Sequence, residues 1–472
     1  MNIKKAAAFA IGPIGAAALG FITLPIITWF YSAEDIGRIA MLQLASGFCV
    51  LFFSLGLDQA YVRDYHESEN KPALLKISLL PGLCLLVVSL VPSFISPGFI
   101  SRTLFSVDSV LISILVALSL LATLTSRFLS LVLRMQERGL AFSMSQVLPK
   151  VLFLCVVGVY CFLSFGFDLS HLVLAQVISL ITVTLVFSWN VRQELSASIK
   201  SGIDIEKLIS MLRFGAPLII GGVAFWGLTA MDKIFLRNLS TFEELGLYSV
   251  ASSFAAAAAI FQNIFSTIWM PTVYRWVAEG VDTGKKIDQT TDYVLTAVVI
   301  LFSVAGLLSW TVTYLLPPSY ERVEYILVAC MAYPLLYILS EVTGAGLGIA
   351  RKSAHVMGAS IFSAVVNLII NYLLTPKYGA AGAAVSTAIS FWVFFFCRTE
   401  LSCRLWRPTP RLFLYGISLA CLTLSIAFAL VGHNYNFEFI SFWLALLMIG
   451  GWRSRTIIRK IFTKAFKQED KN

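Results

Sequence analysis

Residues 109–132 read SVLISILVALSLLATLTSRFLSLV and hold one charged side chain, Arg127, in 24 positions. About 20 consecutive apolar residues are enough for an α-helix to cross the hydrocarbon core of a bilayer. The stretch is continuously apolar and lacks the alternation of a membrane-spanning β-strand. It therefore predicts one membrane-spanning helix, and the rest of the chain repeats its pattern.

The composition of the whole chain agrees with this reading. Of 472 residues, 58% are hydrophobic and 13% are charged, and the mean hydropathy is +0.83. Soluble domains have roughly 25% charged residues. Short polar breaks separate fourteen apolar stretches, near 6–30, 37–57, 74–95, 109–132, 142–165, 171–189, 213–237, 247–270, 290–316, 324–349, 355–374, 380–397, 412–432 and 438–452. The prediction is an all-α polytopic membrane protein with about 14 transmembrane helices.

The basic residues predict how the chain is oriented in the membrane. If the N-terminus is cytoplasmic, 26 of the 35 Lys and Arg residues fall on cytoplasmic segments and 5 on outside segments. Loops that stay in the cytoplasm are enriched in Lys and Arg. We therefore expect both termini to be cytoplasmic.

The two halves of the chain resemble each other. Residues 9–13 (FAIGP) match 213–217 (RFGAP), and Glu34-Asp35-Ile36-Gly37 matches Glu243-Glu244-Leu245-Gly246. Residues 134–139 match 348–353, and Phe165-Gly166 matches Tyr378-Gly379, so the offset is about 204 to 214 throughout. An even number of spans per repeat gives two parallel repeats.

The repeat predicts a domain organisation and a class of function. We expect an N-terminal six-helix lobe at 1–189, a cytoplasmic amphipathic linker at 190–212 and a C-terminal six-helix lobe at 213–400. Residues 401–472 would form two extra helices and a basic cytoplasmic tail. Two bundles around a central cleft can alternate between inward-open and outward-open states, which is typical of transporters.

Three motifs indicate a family. They are Gly12-Pro13 at the first span, 57–65 (LDQAYVRDY) after the second and 378–384 (YGAAGAA) opening the twelfth. With them the chain resembles the multidrug/oligosaccharidyl-lipid/polysaccharide exporter superfamily, and within it the bacterial polysaccharide (Wzx-type, O-antigen) flippases. Relatives usually have twelve spans, so fourteen is a departure.

The resemblance implies a function and its setting. The protein would move an undecaprenyl-pyrophosphate-linked oligosaccharide, an O-antigen or similar repeat unit, from the cytoplasmic to the periplasmic leaflet of the bacterial inner membrane by alternating access. A polysaccharide polymerase and a chain-length regulator would be its partners. We expect a monomer that binds no nucleic acid.

Charged side chains inside the membrane are candidates for substrate binding. A buried ion costs at least ~2.5–3.5 kcal/mol, so such residues are rare unless they have a role. A cationic cleft would compensate the charge of a pyrophosphate. The candidates for contact with pyrophosphate or sugar are Arg127, Lys150, Lys233, Arg38, Asn367 and Asn371. The alternatives are snorkelling to the surface for the cations and hydrogen bonding between helices for the asparagines.

Two acids and one helix complete the predicted machinery. Glu341 and Asp232 are candidates for coupling to H⁺ or Na⁺, against the alternative of pairing with a Lys or Arg. Gly12, Pro13 and Pro25 predict that the first helix bends during gating, because Pro removes a backbone hydrogen bond; close packing without motion is the alternative. The sequence predicts no catalytic residues, no metal site and no cofactor.

Other function classes fit less well. Residues 280–286 (GVDTGKK) have their glycines one residue too close for a P-loop and lack Ser or Thr after the lysine. The four histidines are scattered, which disfavours a membrane glycan polymerase or transferase. A cation-coupled multidrug antiporter is the closer alternative. The predicted first lobe disfavours it, because its spans contain Lys76, Arg127 and Lys150 and no deep carboxylate.

Overall fold

A computed structural model of the chain describes residues 3–163, 166–434 and 436–469. Within these ranges the regular structure consists of helices, and no strand occurs. The chain forms two compact units, Met1–Lys233 and Ile234–Asn472.

The first unit contains ten helices and the larger part of an eleventh. They are α1 (Ile3–Thr28), α2 (Ala33–Phe53), α3 (Leu57–Asp64), α4 (Lys71–Leu90), α5 (Pro92–Ile95), α6 (Phe99–Phe105), α7 (Val110–Met135), α8 (Gly139–Phe162), α9 (Leu169–Asn190), α10 (Arg192–Lys200) and α11 (Ile205–Leu239). Its core includes Leu57, Leu124 and Phe128, which are fully buried where α3 and α7 pack together. Packing of the apolar face of α7 against this core fixes the position of Arg127 beside it.

The second unit contains the remaining helices. They are α12 (Phe242–Ala278), α13 (Thr283–Leu308), α14 (Val323–Thr343), α15 (Ala345–Ile349), α16 (Ser353–Leu405), α17 (Leu412–Val431) and α18 (Asn436–Glu469), with short 3₁₀ turns at Ser309–Tyr314, Pro318–Tyr320 and Gly432–Asn434. α14 is the central helix of this unit, since nearly all of its residues are buried by α12, α16 and α17.

The predicted fold class is confirmed: the chain is an all-α polytopic membrane protein. Each of the fourteen apolar stretches overlaps a described helix, and eleven helices in the described part of the chain are long and apolar enough to cross a membrane. Two predicted spans, 355–374 and 380–397, share α16, which is broken at Gly379 with φ +53° and ψ −127°. The number of spans, 12 or 14, stays a prediction.

Two backbone conformations match between the halves of the predicted repeat. Glu137 and Arg351 both have left-handed backbone conformations, with φ +56° and +57°. Each lies in the turn before a long helix, α8 after Glu137 and α16 after Arg351, and the two residues are 214 positions apart. A non-glycine residue with positive φ is uncommon, so the coincidence supports the alignment of 134–139 with 348–353. Phe165 of the other predicted match lies outside the described residues.

The first compact unit extends past the predicted lobe boundary at 213. Gly215 and Gly222 on α11 lie against Gly56 and Leu51, and the Trp226 ring contacts that of Phe48 on α2 in a tilted arrangement, with 5.1 Å between ring centroids. These contacts join the first half of α11 to the first unit. The division into lobes at 1–189 and 213–400 therefore stays a prediction.

The second half of the predicted linker packs against the first unit. Leu208 and Leu212 pack against the core of the first unit, and Met211 is fully buried between them. Ile203, Ile205 and Ile209 are 50% or more exposed. The linker is not separate from the helices, because its second half forms the first turns of α11 and buries the face that begins at Leu208.

Candidate functional site

Arg127 and Asp58 form an ion pair inside the first unit. Arg127 Nη2 on α7 donates to Asp58 Oδ2 on α3 at 2.8 Å. Asp58 is buried and also accepts from Ser54 Oγ and Gln59 Nε2. Arg127 is half-buried, and among the described residues no group accepts a hydrogen bond from its Nε.

A break between α2 and α3 places this carboxylate. Leu55 and Gly56 have φ of +53° and +67°, which ends α2 and starts a new helix at Leu57. Asp58 then lies in the first turn of α3, where the helix dipole favours an acid. Asp58 lies just past the second predicted span and looks like part of a loop in the sequence, but the re-started helix α3 carries its carboxylate into the interior of the first unit.

A second polar contact lies beside the ion pair. Ser126 Oγ on α7 and Thr184 Oγ1 on α9 are 2.6 Å apart. Thr184 Oγ1 also lies within hydrogen-bond distance of Ala122 O, at 3.2 Å. Three segments of the first unit, α3, α7 and α9, are thus joined by neighbouring polar contacts.

The second unit contains a corresponding set of contacts. Ser266 Oγ on α12 donates to Glu341 Oε2 on α14, and Trp269 Nε1 donates to Glu341 O at 3.0 Å. Next to them, Arg398 Nη1 on α16 donates to Ser340 Oγ at 3.0 Å. Arg398 also acts electrostatically on Glu341, and its guanidinium lies over the Phe394 ring, 5.2 Å from the ring centroid.

The two sets are related by the internal repeat. Three pairs of residues are 214 positions apart in the sequence: Ser126 and Ser340, Arg127 and Glu341, and Thr184 and Arg398. A fourth pair, Asp58 and Ser266, is 208 positions apart. Equivalent positions make contacts in both sets, but the charged residues lie on different helices. The acid and the cation are on α3 and α7 in the first set and on α14 and α16 in the second. We call these eight residues the polar layer. Each repeat holds one acid and one cation in it.

Lys150 lies on another surface of the first unit. Its Nζ donates to Ala16 O on α1 at 2.5 Å, and a β-carbon on Gly20 would be 2.6 Å from the same atom. Gly12 and Gly15 lie against Ser143 and Val147 of α8 in the same way. The small residues of α1 therefore serve close packing with α8. Whether α1 bends stays a prediction, and the side chain of Pro13 lies outside the described part.

The other predicted candidates lie apart from the polar layer. Arg38 contacts Glu34 at 2.5 Å and Asp35 at 3.3 Å within the first turns of α2. On α11, Asp232 is buried and the adjacent Lys233 is half-buried. Pro25 lies near the end of α1, and its carbonyl accepts from Thr28 Oγ1.

Asn367 and Asn371 lie inside the second unit. Asn371 Nδ2 donates to Asn367 Oδ1 at 3.1 Å, and Thr375 Oγ1 donates to Asn371 Oδ1 at 2.9 Å. Asn367 Nδ2 reaches Thr387 Oγ1 at 3.4 Å across the break in α16. Both amides are buried, and their described bonds join helical segments.

Sequence reasoning missed Asp58, Ser266 and Arg398. The predicted span 380–397 ends just before Arg398, whereas α16 continues to Leu405. The offset of 214 would have found it, since it aligns Arg398 with Thr184 in a predicted span. Within the described ranges, no three His, Cys, Asp or Glu side chains could together hold a metal ion.

A separate charged cluster lies where α3 ends. Asp64 is buried and contacts Arg63 Nε at 2.5 Å and Lys207 Nζ at 2.8 Å. The hydrogen bond from Arg63 holds the pKa of Asp64 below its usual value, and Lys207 adds to this against the opposing effect of burial. Arg63 also lies over the Phe214 ring, 4.0 Å from its centroid. The two motifs 57–65 and 213–217 therefore meet in the fold.

These features define a class: a polytopic helical transporter whose helices hold paired ionisable groups. A family model described as "Polysaccharide biosynthesis protein" matches residues 3–277. The chain belongs to that family, as the resemblance predicted.

Two relatives and one solved structure are similar to this chain. The "Probable low-salt glycan biosynthesis flippase" of Haloferax volcanii is 23% identical over 243 residues, which span half of this chain and half of that relative. The "Capsular polysaccharide biosynthesis protein CapF" of Staphylococcus aureus is 22% identical over 80% of this chain and 93% of its own length. The structure of "Lipid II flippase MurJ, inward closed conformation" is 14% identical with a TM-score of 0.70, covering 98% of this chain and all of that one, and has the same fold.

Proposed function

We propose that this protein is a flippase that moves a lipid-linked glycan between membrane leaflets by alternating access. Its family, the names of its relatives and the transporter fold support this proposal. The observation that carries it furthest is the guanidinium of Arg127, which lies inside the helical unit, has one carboxylate partner and stays partly exposed.

The chemistry of Arg127 suits an anionic lipid head. A guanidinium presents five donors in a rigid fork and binds phosphate groups in a bidentate manner. Asp58 neutralises this cation while the site is unloaded, which offsets the cost of a bare charge in a low dielectric. A pyrophosphate would approach the exposed face of Arg127 and compete with Asp58 for its donors.

The finer proposal names the substrate and direction. We infer that the glycan is linked to undecaprenyl pyrophosphate and leaves the cytoplasmic leaflet for the periplasmic leaflet of the inner membrane. A polymerase and a chain-length regulator would then act on the product. Lys150, Lys233, Arg38, Asn367 and Asn371 stay candidates for contact with pyrophosphate or sugar.

We also propose that Glu341 binds the coupling ion, H⁺ or Na⁺. Asp58 is paired with a cation, Arg127, whereas the carboxylate of Glu341 accepts its hydrogen bond from a neutral hydroxyl, Ser266. In proteoliposomes, we expect transport by the wild type to respond to one imposed ion gradient and Glu341→Gln to lose that response. A full response in Glu341→Gln would remove this assignment and leave Asp232 as the other candidate.

A multidrug antiporter remains the competing function because the first unit does contain a buried carboxylate. Asp58, however, is occupied by Arg127 at 2.8 Å, so a cationic drug would have to displace a guanidinium that is held in place by the fold. This arrangement favours an anionic substrate.

Deletion of the gene tests the proposed function. We expect loss of surface polysaccharide and accumulation of lipid-linked oligosaccharide in the cytoplasmic leaflet, with unchanged sensitivity to cationic dyes. Normal polysaccharide with new dye sensitivity would establish the antiporter instead. In the complemented strain, Arg127→Ala or Lys150→Ala should reduce export while the protein remains in the membrane, and Arg134→Ala, at the exposed end of α7, is the matched control.

A further inference from the structure

The second unit contains a polar cavity formed by four chain segments. Its volume is about 840 Å³. The segments are residues 240–244, 321–326, 376–381 and 429–433. All four lie at breaks between apolar stretches that the basic residues predict to face the outside.

The wall of this cavity is built on the motif at Tyr378-Gly379. Glu244 Oε2 accepts from Ala380 N at 2.8 Å and Glu244 Oε1 from Arg322 Nη1. A β-carbon on Gly379 would collide with the Glu244 carboxylate, so only glycine permits this approach at φ +53°. The carboxylate and the helix start are therefore held together before any ligand arrives.

The lining offers both hydrogen-bonding groups and rings. Glu243, Glu321 and Lys377 are exposed, as are the rings of Tyr378 and His433. Carboxylates accept hydrogen bonds from hydroxyl groups, an ammonium donates them, and ring faces contact the C–H face of a pyranose. The volume lies within the roughly 300–1,000 Å³ of small-molecule sites.

The charge of the lining excludes other ligand classes. Three carboxylates, Glu243, Glu244 and Glu321, outnumber the two cations Arg322 and Lys377. This balance disfavours a pyrophosphate, and charged walls disfavour a prenyl chain. A neutral or amino-bearing sugar fits the lining.

We propose that this cavity binds the glycan part of the substrate on the outer side. The proposal rests on the proposed flippase function. The cavity would hold the sugars after reorientation while the lipid moves into the outer leaflet. Tyr378, Glu321 and Lys377 would then help to determine which glycan is released.

The test uses the full protein in lipid nanodiscs and, as probe, the oligosaccharide freed from the host's lipid-linked precursor by mild acid. Binding is measured by saturation-transfer NMR. We expect the wild type to bind and Tyr378→Ala to bind about tenfold more weakly, the size of one lost ring contact. Glu321→Gln should also weaken binding. Glu438→Gln, an exposed acid outside the cavity, should not.

Several outcomes would overturn the assignment. Equal binding by wild type and both cavity variants would do so, as would displacement of the oligosaccharide by inorganic pyrophosphate. If Tyr378→Ala melts at a lower temperature than the wild type, binding is measured with Lys377→Gln in its place. Flipping of the lipid-linked precursor by wild-type proteoliposomes is measured in parallel. Wild-type flipping without oligosaccharide binding would reject the cavity alone, and absence of flipping would reject the flippase.

Discussion

Arg127 and Glu341 occupy equivalent positions in the two repeats and have opposite charges. Arg127 contacts a carboxylate, whereas Glu341 contacts a hydroxyl and lies near a cation on a third helix. Either charge would be costly in lipid without such neighbours. A residue's role in the polar layer therefore depends on its partner helix as much as on its own type.

Arg127 should have separable effects on stability and on transport. Arg127→Gln leaves the buried Asp58 without its cation and should destabilise the protein by about 1–3 kcal/mol, less than for a fully buried pair because Arg127 is partly exposed. Asp58→Asn together with Arg127→Gln should recover most of the melting temperature but not glycan flipping. Thermal melts and proteoliposome flipping measure the two effects, and full flipping by the double variant would contradict a role in binding.

Asp64 should contribute a pH-dependent part of the stability. Arg63 and Lys207 lower its folded-state pKa below the unfolded value of about 3.9, so its contribution is present above that value and is lost as the pH falls through the folded pKa. At pH 7 we expect Asp64→Asn to melt at a lower temperature than the wild type. The difference should begin to shrink below about pH 4, because Asp64 of the unfolded chain then binds a proton while the folded carboxylate is still ionised. A difference that is constant from pH 7 to pH 3 would indicate that the charge of Asp64 is not responsible.

At the scale of the elements, breaks within helices position the chemistry. The turn at Leu55 and Gly56 re-starts the helix so that Asp58 faces Arg127, and the break at Gly379 lets Ala380 N meet Glu244. Both breaks use a left-handed glycine, which has no β-carbon to clash. The equivalent stretch of α12 is continuous, so the break near Gly56 is present in the first half of the chain and absent from the second.

The close approach of α2 and α11 predicts a position-specific effect of adding one methyl group. A β-carbon on Gly215 would lie 2.7 Å from Leu55 O, whereas the space around Gly221, on the same helix, is open. Gly215→Ala should therefore lower the melting temperature. Gly221→Ala should be neutral or stabilising by up to about 1 kcal/mol, since Ala is the better helix former. Equal melting temperatures for the two variants would mean that the helices do not approach as closely as described.

At the scale of the whole molecule, the repeat accounts for the polar layer. The contact of Ser126 with Thr184 and the contact of Ser340 with Arg398 recur at an offset of 214, as the predicted repeat requires. The charges differ between the copies, so each unit keeps one acid and one cation.

The orientation of the chain is open to a direct test. In a background without the eight cysteines, Lys377→Cys should react with a membrane-impermeant maleimide in intact cells. Lys352→Cys should react only after the cells are permeabilised, because its loop belongs to the Lys- and Arg-rich side. Both positions are exposed, so access to the side chain is not limiting. The reverse pattern of labelling would invert the topology and move the Tyr378 cavity to the cytoplasmic side.

The sequence by itself determined the membrane class, the helical fold, the internal repeat and the family. These follow from hydropathy and from short motifs, which are local properties of the chain: a long apolar stretch must form a helix in lipid, whatever its neighbours. Only the tertiary structure decided which charges meet. Asp58 and Arg127 are 69 positions apart, and a positive φ at Leu55 and Gly56 brings them together. Arg398 became part of the polar layer because packing of α16 on α14 carries it to Ser340, a contact that no local pattern encodes.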